Sequence, residues 1–434
     1  MTTDPIGVAL LVGLFVFLVI IKFPIAFSLA LSAFITALYM GVPLSAVTMK
    51  MVASVDSFSL LAIPFFILAG EIMSAGGISD RIVNLANVLV GRVRGGLAMV
   101  NCLESMFFGM VSGSAIADVS STGPIVIPMM KKQGYPAQFA VALTAASACM
   151  SLLIPPSHNM IIYASAVSGV SVGKLFMAGL IPGYLLGVLL MIYCYVISRI
   201  KKYPQGGKFT FKESLKIIAD SLLGMFTVVI IIGGVFAGIV TATESSVLAC
   251  LWALFIALCV YRQVTVKDIV PILKRALQTI ALVMTLVASA GAFGFMMTWL
   301  RIPDLITGGL LSITSNKYVL LLLINLSLLL LGCVMDMAPL ILICAPVLLP
   351  VVTSPVIGMD PVHFGIVLIY NLGMGLLTPP VGTALFVGSA IGRVKIEETA
   401  KALMPFYVVM IVGLLLVTFI PAISMTIPNL MFGK

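Results

Sequence analysis

The chain has 434 residues, of which 61% are hydrophobic and 9% charged. Soluble globular proteins carry about 25% charged residues, so that class is excluded. The net charge of +9 invites a nucleic-acid partner, but the basic residues fall mainly between apolar segments, where they orient a membrane protein.

Segments of roughly membrane-spanning length, about 20 residues, are predicted at 7–21, 24–40, 59–75, 138–167, 174–197, 217–239, 245–262, 276–299, 362–391 and 401–424. The first follows Asp4 with no Lys or Arg before it, and no small-residue cleavage site comes after it. It therefore reads as a helix and not as a secretory leader. Short interfacial helices are predicted at 44–54, 79–94 and 302–314, with Ser79 as an N-cap, Arg81, Arg92 and Arg94 as a basic edge, and Pro303 at a helix start. The stretches 98–131 and 318–352 differ, because small and polar residues interrupt each midway. Each half runs only about 13–15 residues, too short to cross, so both are predicted as re-entrant hairpins.

With the basic segment 198–216, which holds the linker 201–216, placed in the cytoplasm, this layout puts 19 of the 24 Lys and Arg residues on the cytoplasmic side, as the positive-inside rule requires. Residues 1–200 and 217–434 then each hold five crossings and one hairpin. An odd number inverts the second half, so the hairpins enter from opposite faces and both termini are expected in the periplasm. The expected fold is an all-α polytopic membrane protein of two inverted repeats. The first contains hairpin 98–131 and broken helix 138–167, the second hairpin 318–352 and broken helix 362–391.

The halves also share a series of backbone breakers. The first reads Gly113-Ser114-Ala115-Ile116-Ala117-Asp118, then Pro124 and Pro128, Tyr135-Pro136, and Pro155-Pro156-Ser157-His158-Asn159. The second reads Gly332-Cys333-Val334-Met335-Asp336, then Pro346 and Pro350, Asp360-Pro361, and Thr378-Pro379-Pro380-Val381-Gly382-Thr383. Ser112, Gly113 and Ser114 form the expected tip of the first hairpin, with Asp118 at the start of the returning helix, where its dipole favours a carboxylate. Asp336 is read as its counterpart. An acid at membrane depth costs roughly 2.5–3.5 kcal/mol on insertion scales, which a capping role alone repays poorly. Adjacent prolines remove two amide donors, and the carbonyls so freed need partners. A desolvated sodium ion suits them, with Asp118 and Asp336 adding carboxylates, Ser112, Ser114, Asn159, Thr378 and Thr383 adding further side-chain oxygens, and Gly113, Pro155, Gly332, Pro379 and Gly382 lying along the backbone cage. Ser157, His158 and Asn159 are candidate substrate contacts, together with Ser112, Ser114, Asp118 and Asp336. Asn371, Glu71, Glu104 and Glu244 are secondary polar candidates, Glu244 lying at a helix start where a capping role serves equally well, and Asp220 reads as an interfacial residue near a helix end. No Lys or Arg falls near the breaks, so an anionic substrate is expected to meet bound cations, helix N-termini and hydroxyls.

At these motifs the chain resembles the large membrane subunit of the tripartite ATP-independent periplasmic (TRAP) transporters, the DctM-like family. The runs carrying the resemblance are Gly109 to Asp118, Gly123 to Met130 with Gly134-Tyr135-Pro136, Ile154 to Ser157 and Leu377 to Gly382. It implies a sodium-driven elevator importer in the bacterial inner membrane. A small four-helix membrane subunit would flank it, and a periplasmic binding protein would deliver an organic acid. Pro156-Ser157-His158-Asn159 is similar to members that carry sialic acid, with C4-dicarboxylate members as the alternative. A standalone divalent-anion/sodium symporter shares the hairpin-and-break plan. An aspartyl protease using Asp118 and Asp336 lacks its Gly-x-Gly-Asp sequence, and zinc hydrolysis has only His158 and His363 with no HExxH. A channel suits opposed hairpins less well than alternating access. Lipid is an expected neighbour and nucleic acid is not.

Overall fold

A computed structural model describes residues 4–205 and 209–433; Gly206-Gly207-Lys208 of the linker and Lys434 lie outside the described residues. Helix α1 (Pro5–Ile20) begins where the Asp4 carboxylate accepts from the Ile6 amide at 3.0 Å and Pro5 suits the first turn. Lys22, with φ 64°, and Pro24 turn the chain into α2 (Ile25–Tyr39). Buried Ser28, Ser32 and Thr36 donate to carbonyls four residues back at 3.1, 2.7 and 2.7 Å, so their hydroxyls are paired within the helix. Helix α3 (Leu44–Val55) follows, and a 3-10 turn leads into α4 (Ala62–Ala75). The next helix, α5 (Ile78–Val90), is capped at Gly77 (φ 70°) and not at Ser79, whose buried hydroxyl inside the helix has no partner. Gly76-Gly77 makes the left-handed entry two residues earlier than a serine cap would.

Helices α6 (Gly96–Ser112) and α7 (Ala115–Lys132) form the first hairpin, with Gly113 and Ser114 as its whole turn. After Tyr135-Pro136 come α8 (Ala137–Ala148), the single turn α9 (Met150–Leu153) and, past the double proline, α10 (His158–Ala166), bent by 49° from the helix before it. The 29-residue α11 (Val172–Ile200) closes the first half.

In the second half α12 (Phe211–Val228) passes through a π turn into α13 (Gly234–Phe236). Helix α14 (Ala242–Phe255) starts in a capping box between Thr241 and Glu244, confirming Glu244 as a cap. Helix α15 (Val266–Trp299) has 34 residues, roughly 50 Å at helical rise, and starts ten residues earlier than the expected 276. Helix α16 (Ile302–Ile313) has Pro303 in its first turn, as predicted. The second hairpin is α17 (Lys317–Val334) and α18 (Met337–Val352). The second broken helix is α19 (Pro361–Gly375) and α20 (Thr383–Gly392). The expected final span 401–424 is instead α21 (Ile396–Phe419) and a separate α22 (Pro421–Phe432), because Pro421 forces Ile420 out of the helical region.

Among the described residues, seven helices are long and apolar enough to cross a membrane, or eight with the bent α8–α10 counted as one. The remaining apolar helices are shorter, α1 and α2 having 16 and 15 residues. The hairpin arms are longer than about 13–15 residues, at 17, 18, 18 and 16, and α17 is one of the seven helices of crossing length, contrary to the expectation that every arm is too short. What makes them hairpins is the tight turn between the arms, with glycine at the first tip and an extended Met335-Asp336 pair at the second.

Helix α8 from Phe139 and nearly all of α19 are buried, so the broken helices run through the centre of the protein. Lacking a solvent-driven hydrophobic force, membrane helices pack by close approach of small residues. A Cβ added to Gly109 of α6 would meet Ser151 Cα at 2.8 Å, and one on Gly375 of α19 would meet Gly332 Cα of α17 at 2.7 Å. Each hairpin is thus pressed against its broken helix just ahead of the double proline. On the periphery, Leu222 and Phe226 of α12 and Leu248, Leu251 and Phe255 of α14 are exposed, an apolar surface of the kind that lipid covers.

Candidate functional site

The hairpin tips are held on the breaks by backbone contact. Gly113 takes φ 62°, and a Cβ there would overlap the Pro156 carbonyl, so only glycine lets the first tip rest on the first break. At the second break the Val381 amide donates to Cys333 O at 3.2 Å. The two broken helices meet ahead of their breaks, where Cys149 Sγ donates to Gly373 O at 3.2 Å.

Both tips and the start of α10 open onto one cavity of about 490 Å³, a volume suited to a small organic molecule. Ser112, Ser114, His158, Asn159 and Asp336 line it. Helices α4 and α15 form the opposite side, and a hydrogen bond of 2.7 Å between Ser74 and Ser121 ties α4 to α7. Five of the seven residues predicted to touch substrate therefore face a common space. Ser157 and Asp118 do not line it.

The acids are not counterparts, contrary to the sequence reading. A constant offset of 222 residues relates Pro124 and Pro128 to Pro346 and Pro350, and the same offset relates Ser114 to Asp336. Ser114 and Asp336 are both N-caps; Asp118 is four residues further on, and the offset sets it opposite Leu340. Matching acid to acid ignored this proline register. Asp118 is fully buried, accepting from Ser151 Oγ at 2.8 Å and Thr122 Oγ1 at 3.1 Å, which ties α7 to α9. Glu104 is also fully buried, with Ser105 Oγ at 3.4 Å from Oε1 and Oε2 without a hydrogen-bond partner.

The carbonyls at the second break are less free than two adjacent prolines imply. Leu377 O accepts from Tyr407 at 2.7 Å, Leu376 O from the Ala384 amide at 3.1 Å, and Thr378 O from the Gly382 amide at 3.1 Å. The Thr378 hydroxyl turns back to Met374 O at 3.0 Å. The buried hydroxyl oxygens of Ser157 and Thr383, one beside each break, have no hydrogen-bond partner. Hard oxygen donors of this kind fit sodium, whereas among the described residues no three His, Cys, Asp or Glu side chains gather as a transition-metal site would need. Pro155, Gly332 and Gly382 are buried and Pro379 is exposed. Asn371 donates to Asn325 Oδ1 at 2.8 Å and serves to hold α19 on α17. His363 is buried against Val417 O at 2.8 Å, away from the cavity.

Sequence reasoning missed a basic residue. Arg275 lines the cavity and pairs with Glu71 at 2.9 Å. The residues 261–275 read as a loop, but α15 already spans Arg275, and Arg275, Thr279, Leu282 and Val283 fall on one helical face toward the cavity. That spacing was the available signal. Asp220 lies further from the helix end than expected, because α12 starts at Phe211 and not at 217, and it pairs with Arg81 of α5 at 2.9 Å.

The family model described as "Tripartite ATP-independent periplasmic transporter, DctM component" matches residues 11–423. The chain is 39% identical to the sialic acid TRAP transporter large permease protein SiaM of Vibrio cholerae, over 94% of this chain and 96% of that protein. It is 37% identical to the C4-dicarboxylate TRAP transporter large permease protein DctM of Pseudomonas aeruginosa, over 93% and 94%. In fold it is similar to the Alcanivorax borkumensis YdaH transporter, with a TM-score of 0.64 at 13% identity, covering 86% of this chain and 88% of that one. These relatives are transporters and not enzymes. With the family matched along nearly its whole length, the chain is a multi-pass membrane protein belonging to the DctM component family of tripartite ATP-independent periplasmic transporters.

Proposed function

We infer that this chain is the permease of a sodium-coupled organic-acid importer. It receives substrate from a periplasmic binding protein and works beside a small four-helix membrane subunit. The observation that carries this reading is the convergence of both hairpin tips and the first break on one cavity. Ser112, Ser114, His158 and Asn159 from the first repeat face Asp336 from the second across it. In an elevator motion the hairpins and broken helices of both repeats would move as one body, carrying the site between them past the remaining helices, α4 and α15 among them. Sodium bound near Ser157 and Thr383 would neutralise local acid charge and ready the tips for an anion.

Sialic acid is the favoured substrate, supported by Ser157-His158-Asn159 and by a cavity roomy enough for a sugar acid. A C4-dicarboxylate is the second reading. Relatives named for the two differ by only two percentage points, at 39% and 37%, so identity does not separate them. Uptake by proteoliposomes containing the permease, its membrane subunit and its binding protein, comparing sialic acid with succinate with and without a sodium gradient, tests the reading. Accumulation that needs sodium and the binding protein is the expected result. Uptake without the binding protein would instead indicate a standalone symporter.

A further inference from the structure

Arg275 contacts Glu71 through Nε alone, at 2.9 Å. Among the described residues its two terminal nitrogens have no hydrogen-bond partner, and it is the one Lys or Arg lining the cavity that His158 and Asp336 also line. We propose that Arg275 binds the substrate's carboxylate in this cavity, and that Glu71 occupies the guanidinium until the substrate displaces it. The proposal rests on the organic-acid reading above.

Four features support it. The open terminal edge of a guanidinium carries two parallel donors that match a carboxylate. Apart from Arg275, the carboxylate-bearing cavity holds Glu71 and Asp336, whose charges repel an anion. The side chains of Arg275 and Glu71 are 52% and 29% exposed, so a ligand in the cavity can reach them. An ion pair so exposed contributes little to stability, so holding α4 on α15 is a poor account of it, and its opening to admit a new partner is easy.

The test uses the reconstituted complex with whichever of sialic acid and succinate the wild type transports. That anion is then titrated against the thermal unfolding of the purified permease with its membrane subunit, in sodium and without binding protein. Arg275→Ala should raise the half-saturating concentration about tenfold or more. Glu71→Gln, which removes the competitor, should lower it. Arg275→Lys should recover only part of the loss, and the Glu71→Arg/Arg275→Glu exchange none. A structural ion pair predicts the reverse pattern: both single variants weaken binding and the exchange restores it. That pattern, or an unchanged Arg275→Ala, overturns the proposal while leaving the organic-acid reading intact. Failure of the wild type to transport either anion overturns both. If Arg275→Ala does not assemble, Arg275→Lys and Glu71→Gln carry the test through their opposite signs.

Discussion

Ser114 and Asp336 occupy one position in two copies of the same hairpin, each the N-cap of a returning helix, 222 residues apart. The Ser114 hydroxyl accepts from the Ala117 amide at 3.4 Å, whereas the Asp336 side chain makes no capping hydrogen bond. The second tip therefore presents an uncommitted carboxylate at a helix N-terminus and beside the cavity. The first presents a hydroxyl already engaged.

Asp336 and Asp118 should consequently fail in different ways when substituted. Asp336→Ala removes a cavity charge and no hydrogen bond, so it should abolish sodium-coupled uptake with little change in unfolding temperature. Asp118→Ala removes two buried hydrogen bonds at about 0.5–1.5 kcal/mol each, leaving Thr122 Oγ1 on the backbone carbonyl of residue 118 at 3.0 Å and Ser151 Oγ on Ser105 O at 3.4 Å, and should lower the unfolding temperature. Thermal unfolding of the purified variants separates the two. Equal stability loss in both would refute the distinct roles.

The first tip should tolerate no side chain. Gly113→Ala forces a left-handed alanine, at about 1–2 kcal/mol, and drives its methyl into the Pro156 carbonyl. Gly134→Ala meets the same backbone penalty at φ 88° with nothing within 4 Å of the added carbon. Gly113→Ala should therefore lose transport and more stability, and Gly134→Ala should keep transport. Identical losses would mean that contact with the break is unimportant.

What the sequence disclosed was chemistry local to the chain. Gly113, Pro155-Pro156 and Pro379-Pro380 force their geometry wherever they stand, so tips and breaks were legible before any fold was known. The register between repeats was legible too, in Pro124, Pro128, Pro346 and Pro350, which set Asp336 opposite Ser114 and not opposite Asp118. Arg275 was lost for a different reason. A charged residue in the extra turns of a helix longer than the membrane looks like a loop residue until the helix start at Val266 is known. The partnering of Leu377 O by Tyr407, thirty residues away, has no local signature at all.

That tertiary contact has its own consequence. Tyr407→Phe removes the donor to Leu377 O while keeping the ring, leaving the carbonyl of a fully buried residue without that partner at a cost of about 1–3 kcal/mol. Stability should fall modestly, and urea or thermal unfolding of the variant measures it. An unchanged unfolding midpoint would show that Leu377 O finds another partner.

Ser157 and Thr383 give the sharpest test of where sodium binds. Each places a buried oxygen without a partner beside a break, and an unsatisfied buried hydroxyl is a destabilising feature of a folded protein. If sodium is the missing partner, Ser157→Ala and Thr383→Val should leave the sodium-free protein as stable as wild type or more so. They should also raise the sodium concentration needed for half-maximal uptake, and shrink the stabilisation that added sodium confers, since a ligand stabilises the state that binds it. A hydroxyl with a purely structural role gives the opposite signature, lower stability without sodium and an unchanged sodium dependence. Unfolding temperatures across a sodium titration, with potassium as the matched control, decide between them.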